Sequence, residues 1–206
     1  FPGRHAPDHA PAAEEGRHSL QQALPAHHGL DADTPEDELA ELVASLGIDD
    51  SIDGILVQLP VPGHINPDVV VGAINPAKDV DGLTPVSAGL LSAGNPGLVP
   101  CTPAGVIEML DHEGVELSGA EAVVVGRSNL VGKPVAALLL ARNATVTICH
   151  SRTKDLPGTC SRADVLVAAV GVSELLGADC VKPGATVIDV GMNRTGSCPG
   201  GRREGV

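Results

Sequence analysis

From residue 34 onward, apolar and polar positions alternate in ways that mark distinct elements. Thr34-Pro35-Glu36-Asp37 has the form of a capping box with proline at the first helical position. Leu39, Leu42, Val43 and Leu46 then recur at helical spacing and Gly47 supplies a stop, so a helix is expected over 35–46. After a short acidic turn, Gly54-Ile55-Leu56-Val57-Gln58-Leu59-Pro60 is a continuous apolar run of strand length, interrupted only by Gln58 near its end. A buried strand is expected there. Asn66-Pro67 and Thr102-Pro103 each read as an N-cap followed by proline, opening helices over 67–74 and 103–112, with a loop-rich stretch between them. Beyond residue 121 the pattern changes. Short β-branched runs at 122–125, 145–149, 165–170 and 186–190 are strands, with an apolar helix over 132–141 between the first two. Strands alternating with helical crossovers imply a parallel sheet.

Residues 1–33 carry no sustained period and are rich in Pro, Ala and His, which reads as a poorly ordered tail. Five of the eight histidines lie in it, but ligands with no helix or strand to fix them make a weak metal set, and no metal is expected. Residues 195–206 read as a polar tail. The chain is thus divided into 1–33, a catalytic portion at 34–112, a dinucleotide-binding portion at 113–194, and the tail.

Composition narrows the classes. The 206 residues carry a formal charge of −13, with no Trp or Tyr and a single Phe. An acidic chain without stacking platforms is a poor match for nucleic acid. No apolar run reaches the roughly eighteen residues of a membrane span, and the sequence opens without the basic and apolar segments of a signal peptide. Five scattered cysteines with no C-x-x-C suggest reduced thiols rather than a disulfide framework or zinc site. A soluble, cytoplasmic protein is expected. The charge is also uneven. Residues 1–121 hold twenty acids and three bases, whereas residues 122–206 hold six acids and ten bases, a balance that suits an anionic cofactor in the second half.

The chemistry concentrates at one turn. The strand at 122–125 runs into Gly126-Arg127-Ser128-Asn129-Leu130-Val131-Gly132-Lys133-Pro134 and then a helix, the geometry that receives a pyrophosphate on free backbone N–H groups. The second strand ends in Cys149-His150-Ser151-Arg152-Thr153-Lys154 instead of an acid. An acid there would favour the free ribose hydroxyl of NAD, while a basic, hydroxylated segment suits the 2′-phosphate of NADP.

Taken in order, Val57-Gln58-Leu59-Pro60-Val61-Pro62, Lys78-Asp79-Val80-Asp81-Gly82, Pro100-Cys101-Thr102-Pro103, Gly126-Arg127-Ser128 through Gly132-Lys133-Pro134, and Lys182-Pro183-Gly184 through Asp189-Val190-Gly191 form a set. The set closely resembles the bifunctional methylenetetrahydrofolate dehydrogenase/methenyltetrahydrofolate cyclohydrolase family over residues 34–194. The resemblance implies a Rossmann-like NADP-binding α/β domain beside a smaller, partial α/β catalytic domain, with a tetrahydrofolate derivative between them and usually a homodimer. It also implies that Asp81 grips the pterin edge, that Gln58 sits near the reacting centre, and that Gly126, Arg127, Ser128, Ser151 and the backbone around Met192 hold the cofactor. The plain structural alternatives are that Asp81 caps a turn, Gln58 satisfies a strand end, and Asp79 pairs with Lys78 on the surface.

The resemblance places a Tyr and a Lys upstream of Gln-Leu-Pro. This sequence has no tyrosine, and its lysines are Lys78, Lys133, Lys154 and Lys182. Impaired cyclohydrolase activity is therefore expected, since Gln58 cannot titrate. Two other readings share part of the pattern. One is a non-catalytic NADP-binding or dimerisation module, which NADP binding without folate binding would select. The other is a different NADP-dependent dehydrogenase acting on a small polar acid, against which the Gln58 and Asp81 motifs speak.

Overall fold

The structure, a computed structural model, describes residues 28–192. Most of the proline- and histidine-rich segment, and the whole tail after 194, lie outside the described residues. The chain divides into two units, 1–34 and 35–206. Of the first, residues 28–34 are described, and they hold a turn in which Thr34 N–H donates to Asp31 O at 3.0 Å.

The second unit centres on four short parallel strands, β1 (Glu121–Val125), β2 (Thr145–Cys149), β3 (Val165–Ala168) and β4 (Thr186–Asp189), in the order β2-β1-β3-β4. All four expected strands form, with β3 and β4 shorter than their apolar runs. Side chains alternate across a strand, so the run Ala122-Val123-Val124-Val125 feeds two cores. Ala122, Val124, Val165 and Val167 face helices α4 (Cys101–His112) and α5 (Gly132–Ala141), packing on Val106, Leu110, Val135 and Leu139. Val123, Val125 and Leu166 face the other way, onto Cys149, Cys160 and Cys180, where α6 (Leu156–Cys160) covers the sheet. The central strands β1 and β3 are buried on both faces, which explains their continuous apolar runs, whereas the outer strands β2 and β4 are partly exposed.

Ahead of the sheet, α1 (Glu36–Ile48) and α2 (Pro67–Gly72) pack around a smaller core of Val43, Ile55, Ile65, Val70 and Ile74, while α3 (Pro85–Ser92) lies against α5. Several expectations are corrected here. The first helix begins at Glu36, one residue later than expected. Pro35 holds the N-cap position without a side-chain cap bond, and the three acids Glu36, Asp37 and Glu38 offset the helix dipole instead. Gly47 does not stop the helix, which continues to Ile48 and sets Gly47 against the Asn75 side chain. Residues 54–60 do not form a strand. Only Ile55 finds a parallel bridge, to Asp79, and the Leu59–Pro60 peptide is cis. A strand needs a ladder, and neither Pro60 nor Pro62 has an N–H to offer one. The fourth helix starts at Cys101 rather than at a Thr102 cap. The stretch between the two Pro-opened helices also contains α3, whose cap Thr84 accepts from Ser87 N–H at 3.2 Å.

Leu139 is fully buried between α5 and the sheet. Leu139→Ala is expected to destabilise the fold by about 2–5 kcal/mol, measurable as a lower urea midpoint with an unchanged slope.

Candidate active site

Two constellations emerge, one at the carboxyl edge of the sheet and one in the turn at residues 78–84.

The chain runs from β1 to β2 on one side and then crosses back to β3 on the other side of β1, so the sheet has its switch point between β1 and β3. Ligands of doubly wound sheets bind there, outside the carboxyl ends of the strands. At that point Gly126 has φ +128°, and a Cβ on it would run into the carbonyl oxygen of Ala169 at the end of β3. Its N–H donates to Cys149 O at 2.9 Å, which prolongs the β1–β2 ladder into the turn. Gly132, the first residue of α5, has its α-carbon against the Gly126 carbonyl, with no room for a side chain.

Ser128 stitches this turn together. Its hydroxyl oxygen accepts from Val131 N–H at 3.1 Å and Gly132 N–H at 3.3 Å, and its carbonyl accepts from Lys133 N–H at 3.1 Å. The N–H groups of Arg127, Ser128, Asn129 and Leu130 donate to no described residue. Four consecutive amides without a described partner in one exposed turn can together receive an anion. Lys133 reaches Asn129 Oδ1 at 2.7 Å, whereas the exposed Arg127 guanidinium meets no described partner.

Beside it, the end of β2 folds into a tight turn. His150 N–H donates to Thr153 Oγ1 at 2.9 Å, Thr153 N–H to His150 O at 2.8 Å, and Arg152 N–H to His150 Nδ1 at 3.1 Å. Ser151 stands exposed at its tip. Past β4, the Met192 carbonyl lies against Gly171, while the Met192 side chain is 69% exposed. The strand order thus brings Ser151, Gly126 with Arg127 and Ser128, Gly171 and Met192 to one edge.

In the second constellation, Lys-Asp-Val-Asp-Gly divides its labour. Lys78 Nζ donates to Asp49 O at 2.7 Å and Leu46 O at 3.3 Å, closing the end of α1. Asp79 is 1% exposed, and its carboxylate accepts from Leu83 N–H at 3.1 Å, Thr84 N–H at 2.8 Å and Ser87 Oγ at 2.7 Å. Burial pushes its pKa up, but those three donors outweigh burial and hold it below the usual carboxylate value. A surface pair of Asp79 with Lys78 is not formed. Val80 lies against Gly54, and Gly82 takes φ +63° under the Leu98 carbonyl. Asp81 alone accepts no hydrogen bond from a described residue, so it caps no turn. Burial, then the charge of Asp79, push its pKa up. The segment carrying Gln58 runs alongside through the Ile55–Asp79 bridge, with Ile55 N–H on Lys78 O at 2.7 Å. Gln58 itself is exposed and donates to Leu59 O at 2.9 Å.

The surface reading of Asp79 is overturned by the burial of that side chain, and the sequence reading does not account for the Thr84–Ser87 cap. The signal was present, since Thr84-Pro85 repeats the N-cap and proline pattern of Asn66-Pro67. Among the described residues, no group of three or more His, Cys, Asp or Glu could hold a metal ion. No helix among them is long and apolar enough to cross a membrane.

A doubly wound parallel sheet with a glycine-walled anion cradle at its switch point defines the class: a dinucleotide-binding α/β fold, here coupled to a smaller acidic portion. Residues 100–204 match the family model of the tetrahydrofolate dehydrogenase/cyclohydrolase NAD(P)-binding domain, and residues 20–81 match that of its catalytic domain. The chain belongs to the tetrahydrofolate dehydrogenase/cyclohydrolase family. It is 64% identical over 169 residues to the bifunctional protein FolD 2 of Frankia alni, covering 82% of this chain and 59% of that protein. With the bifunctional protein FolD of Sorangium cellulosum it shares 62% over 166 residues, or 80% and 58% of the two chains. Among solved structures, the bifunctional FolD dehydrogenase/cyclohydrolase of Campylobacter jejuni superposes with a TM-score of 0.77 at 45% identity, over 81% of this chain and 59% of that one. The Trypanosoma brucei enzyme, solved with NADP and an inhibitor, gives 0.75 at 39%, over 81% and 57%. The chain spans a little under three fifths of the length of these curated relatives.

The direction of the Asp81 shift makes a prediction. A carboxyl whose folded pKa is raised stabilises the fold below its unfolded pKa of about 3.9, and that contribution is lost as the pH rises through the folded value. At pH 7 the ionised Asp81 therefore opposes folding. Asp81→Asn is expected to raise the thermal midpoint at pH 7 and to leave it nearly unchanged near pH 3, as followed by circular dichroism.

Proposed function

We propose that this chain serves NADP-dependent oxidation of 5,10-methylenetetrahydrofolate to 5,10-methenyltetrahydrofolate, followed by hydrolysis to 10-formyltetrahydrofolate. The observation that carries the reading is the run of four amides at 127–130, set between Gly126 and Gly132 and flanked by the side chains of Arg127 and Ser151; these amides and side chains have no hydrogen-bond partner among the described residues.

Those amides take the pyrophosphate, while Arg127 and Ser151 take the 2′-phosphate. Ser128, its oxygen already committed to the turn, holds the cradle in shape and keeps its hydroxyl proton free to donate. The backbone at Met192 lines the nicotinamide end. When bound, NADP accepts the hydride leaving the methylene carbon. The methenyl cation that remains takes up water, and opening of one carbon–nitrogen bond gives the formyl product and a proton. Asp81 accepts two parallel hydrogen bonds from the amino and ring N–H groups of the pterin and so fixes the face presented to the cofactor. Gln58 orients the reacting centre without exchanging protons. Lys78 is spoken for by the α1 carbonyls, so no described lysine stands free beside Asp81. Slow cyclohydrolysis by the 206-residue chain accords with that arrangement.

The expected homodimer is supported by an apolar groove between α4 and the open edge of β4, where Met109 is 49% and Val187 47% exposed. A reducing, cytoplasmic setting is supported by the free thiols of Cys101, Cys149, Cys160 and Cys180, of which Cys160 is pushed up to about 12 by burial and its cysteine neighbours.

Calorimetric titration of the purified chain is expected to show tighter binding of NADP than of NAD. A charge-assisted hydrogen bond contributes about 1.5–3 kcal/mol, so Arg127→Ala should cut NADP affinity about ten- to a hundredfold while leaving NAD affinity nearly unchanged. Equal affinity for the two nucleotides overturns the assignment of Arg127 and Ser151.

A further inference from the structure

Asp79 is a buried carboxylate to which nothing so far gives a role in the reaction, and it sits where three segments of the chain meet. Its backbone forms the parallel bridge to Ile55, three residues before Gln58. Its side chain collects Leu83 N–H, Thr84 N–H and the Ser87 hydroxyl, and so sets the start of α3. Its carbonyl closes the turn by accepting from Gly82 N–H at 3.2 Å, with Val80 and Asp81 inside the turn. An enclosed ion is tolerated only when its lone pairs are filled, and here the donors fill them. Such a charge is fixed in both place and sign.

We propose that Asp79 is a positioning residue for the folate site: its buried carboxylate locks the turn that presents Asp81 and joins that turn to the segment carrying Gln58. The proposal rests on the reading of Asp81 as the pterin-binding group. It accounts for why two acids two residues apart behave so differently, one closed by three donors and the other left open. The arrangement also has an electrostatic consequence. The Asp79 carboxylate opposes ionisation of Asp81. Lys78, the nearest cation in sequence, is directed to the carbonyls of Leu46 and Asp49 on α1. Asp49 in turn is held by Ser51 through its N–H at 2.8 Å and its hydroxyl at 2.7 Å. An open carboxylate beside a fixed negative charge is satisfied best by the paired N–H donors of a ligand.

The test is tetrahydrofolate affinity of the full chain as a function of pH, with NADP affinity as the measure of an intact fold. Asp79→Asn is expected to weaken tetrahydrofolate about tenfold or more, to leave NADP affinity unchanged, and to move the acid limb of the profile to lower pH. The limb moves that way because Asp81 ionises more readily once the neighbouring charge is gone. A structural lesion would lower affinity at every pH and leave the limb in place. Ser87→Ala keeps the charge and removes one donor. It is expected to weaken tetrahydrofolate with the limb unmoved, and it answers the question if Asp79→Asn does not fold. Wild-type affinity and an unmoved limb in Asp79→Asn, or wild-type affinity in Ser87→Ala, overturns the proposal. Unchanged tetrahydrofolate binding by Asp81→Asn, or none by the unsubstituted chain, instead overturns the reading of Asp81 itself.

Discussion

The close approach of three backbone segments at the end of β1 is the constraint around which the larger core and its site are arranged. Gly126 presses against the carbonyl of Ala169, and Gly132 against the carbonyl of Gly126. A single methyl at either position would separate the turn from β3 or from α5. Because the turn is drawn in so tightly, the Ser128 hydroxyl reaches the amides of Val131 and Gly132 at the start of α5, and the four amides before them keep no partner among the described residues. The same geometry sets α5 down on β1 and β2, where Val135 and Leu139 complete the core. Anion binding and core packing thus share one cause, and a substitution at the turn would be felt in both.

The smaller core follows a different logic. It has little regular structure to hold it, so polar groups take over the task. Lys78 closes α1, Asp79 opens α3, Asn75 Nδ2 reaches the Gly47 carbonyl at 2.9 Å, and the Asn66 side chain caps α2 at 3.0 Å. Each of these satisfies a backbone group that a sheet would otherwise have paired. Asp81 is the exception within that network, and leaving a half-buried carboxylate unpaired is a cost a fold bears where a ligand is to supply the partners.

Legibility in the sequence tracked how each element is stabilised. β1, β2 and α5 could be read to within a residue, because β-branched runs of strand length flank an apolar run of helix length. The cradle was equally visible, since only glycine tolerates such contacts. Residues 54–60 misled because an apolar run looks the same whether or not a neighbour exists to pair with it, and only Ile55 has one. Helix α3 was missed although Thr84-Pro85 announces it. The two acids of Lys-Asp-Val-Asp-Gly were both visible, but which would be enclosed depends on where Leu83, Thr84 and Ser87 fall in three dimensions. No periodicity carries that.

The central claim is that the carboxyl edge of the sheet at the β1–β3 switch point is where the dinucleotide sits. Backbone amide chemical shifts of the isotope-labelled chain, followed while NADP is added, test it most directly. The account predicts saturable shifts concentrated at 126–132, at 150–153 and at 191–192, with the groove between α4 and β4 undisturbed. Shifts centred on Met109 and Val187 in that groove, with the amides of Arg127 to Leu130 unmoved, would contradict it.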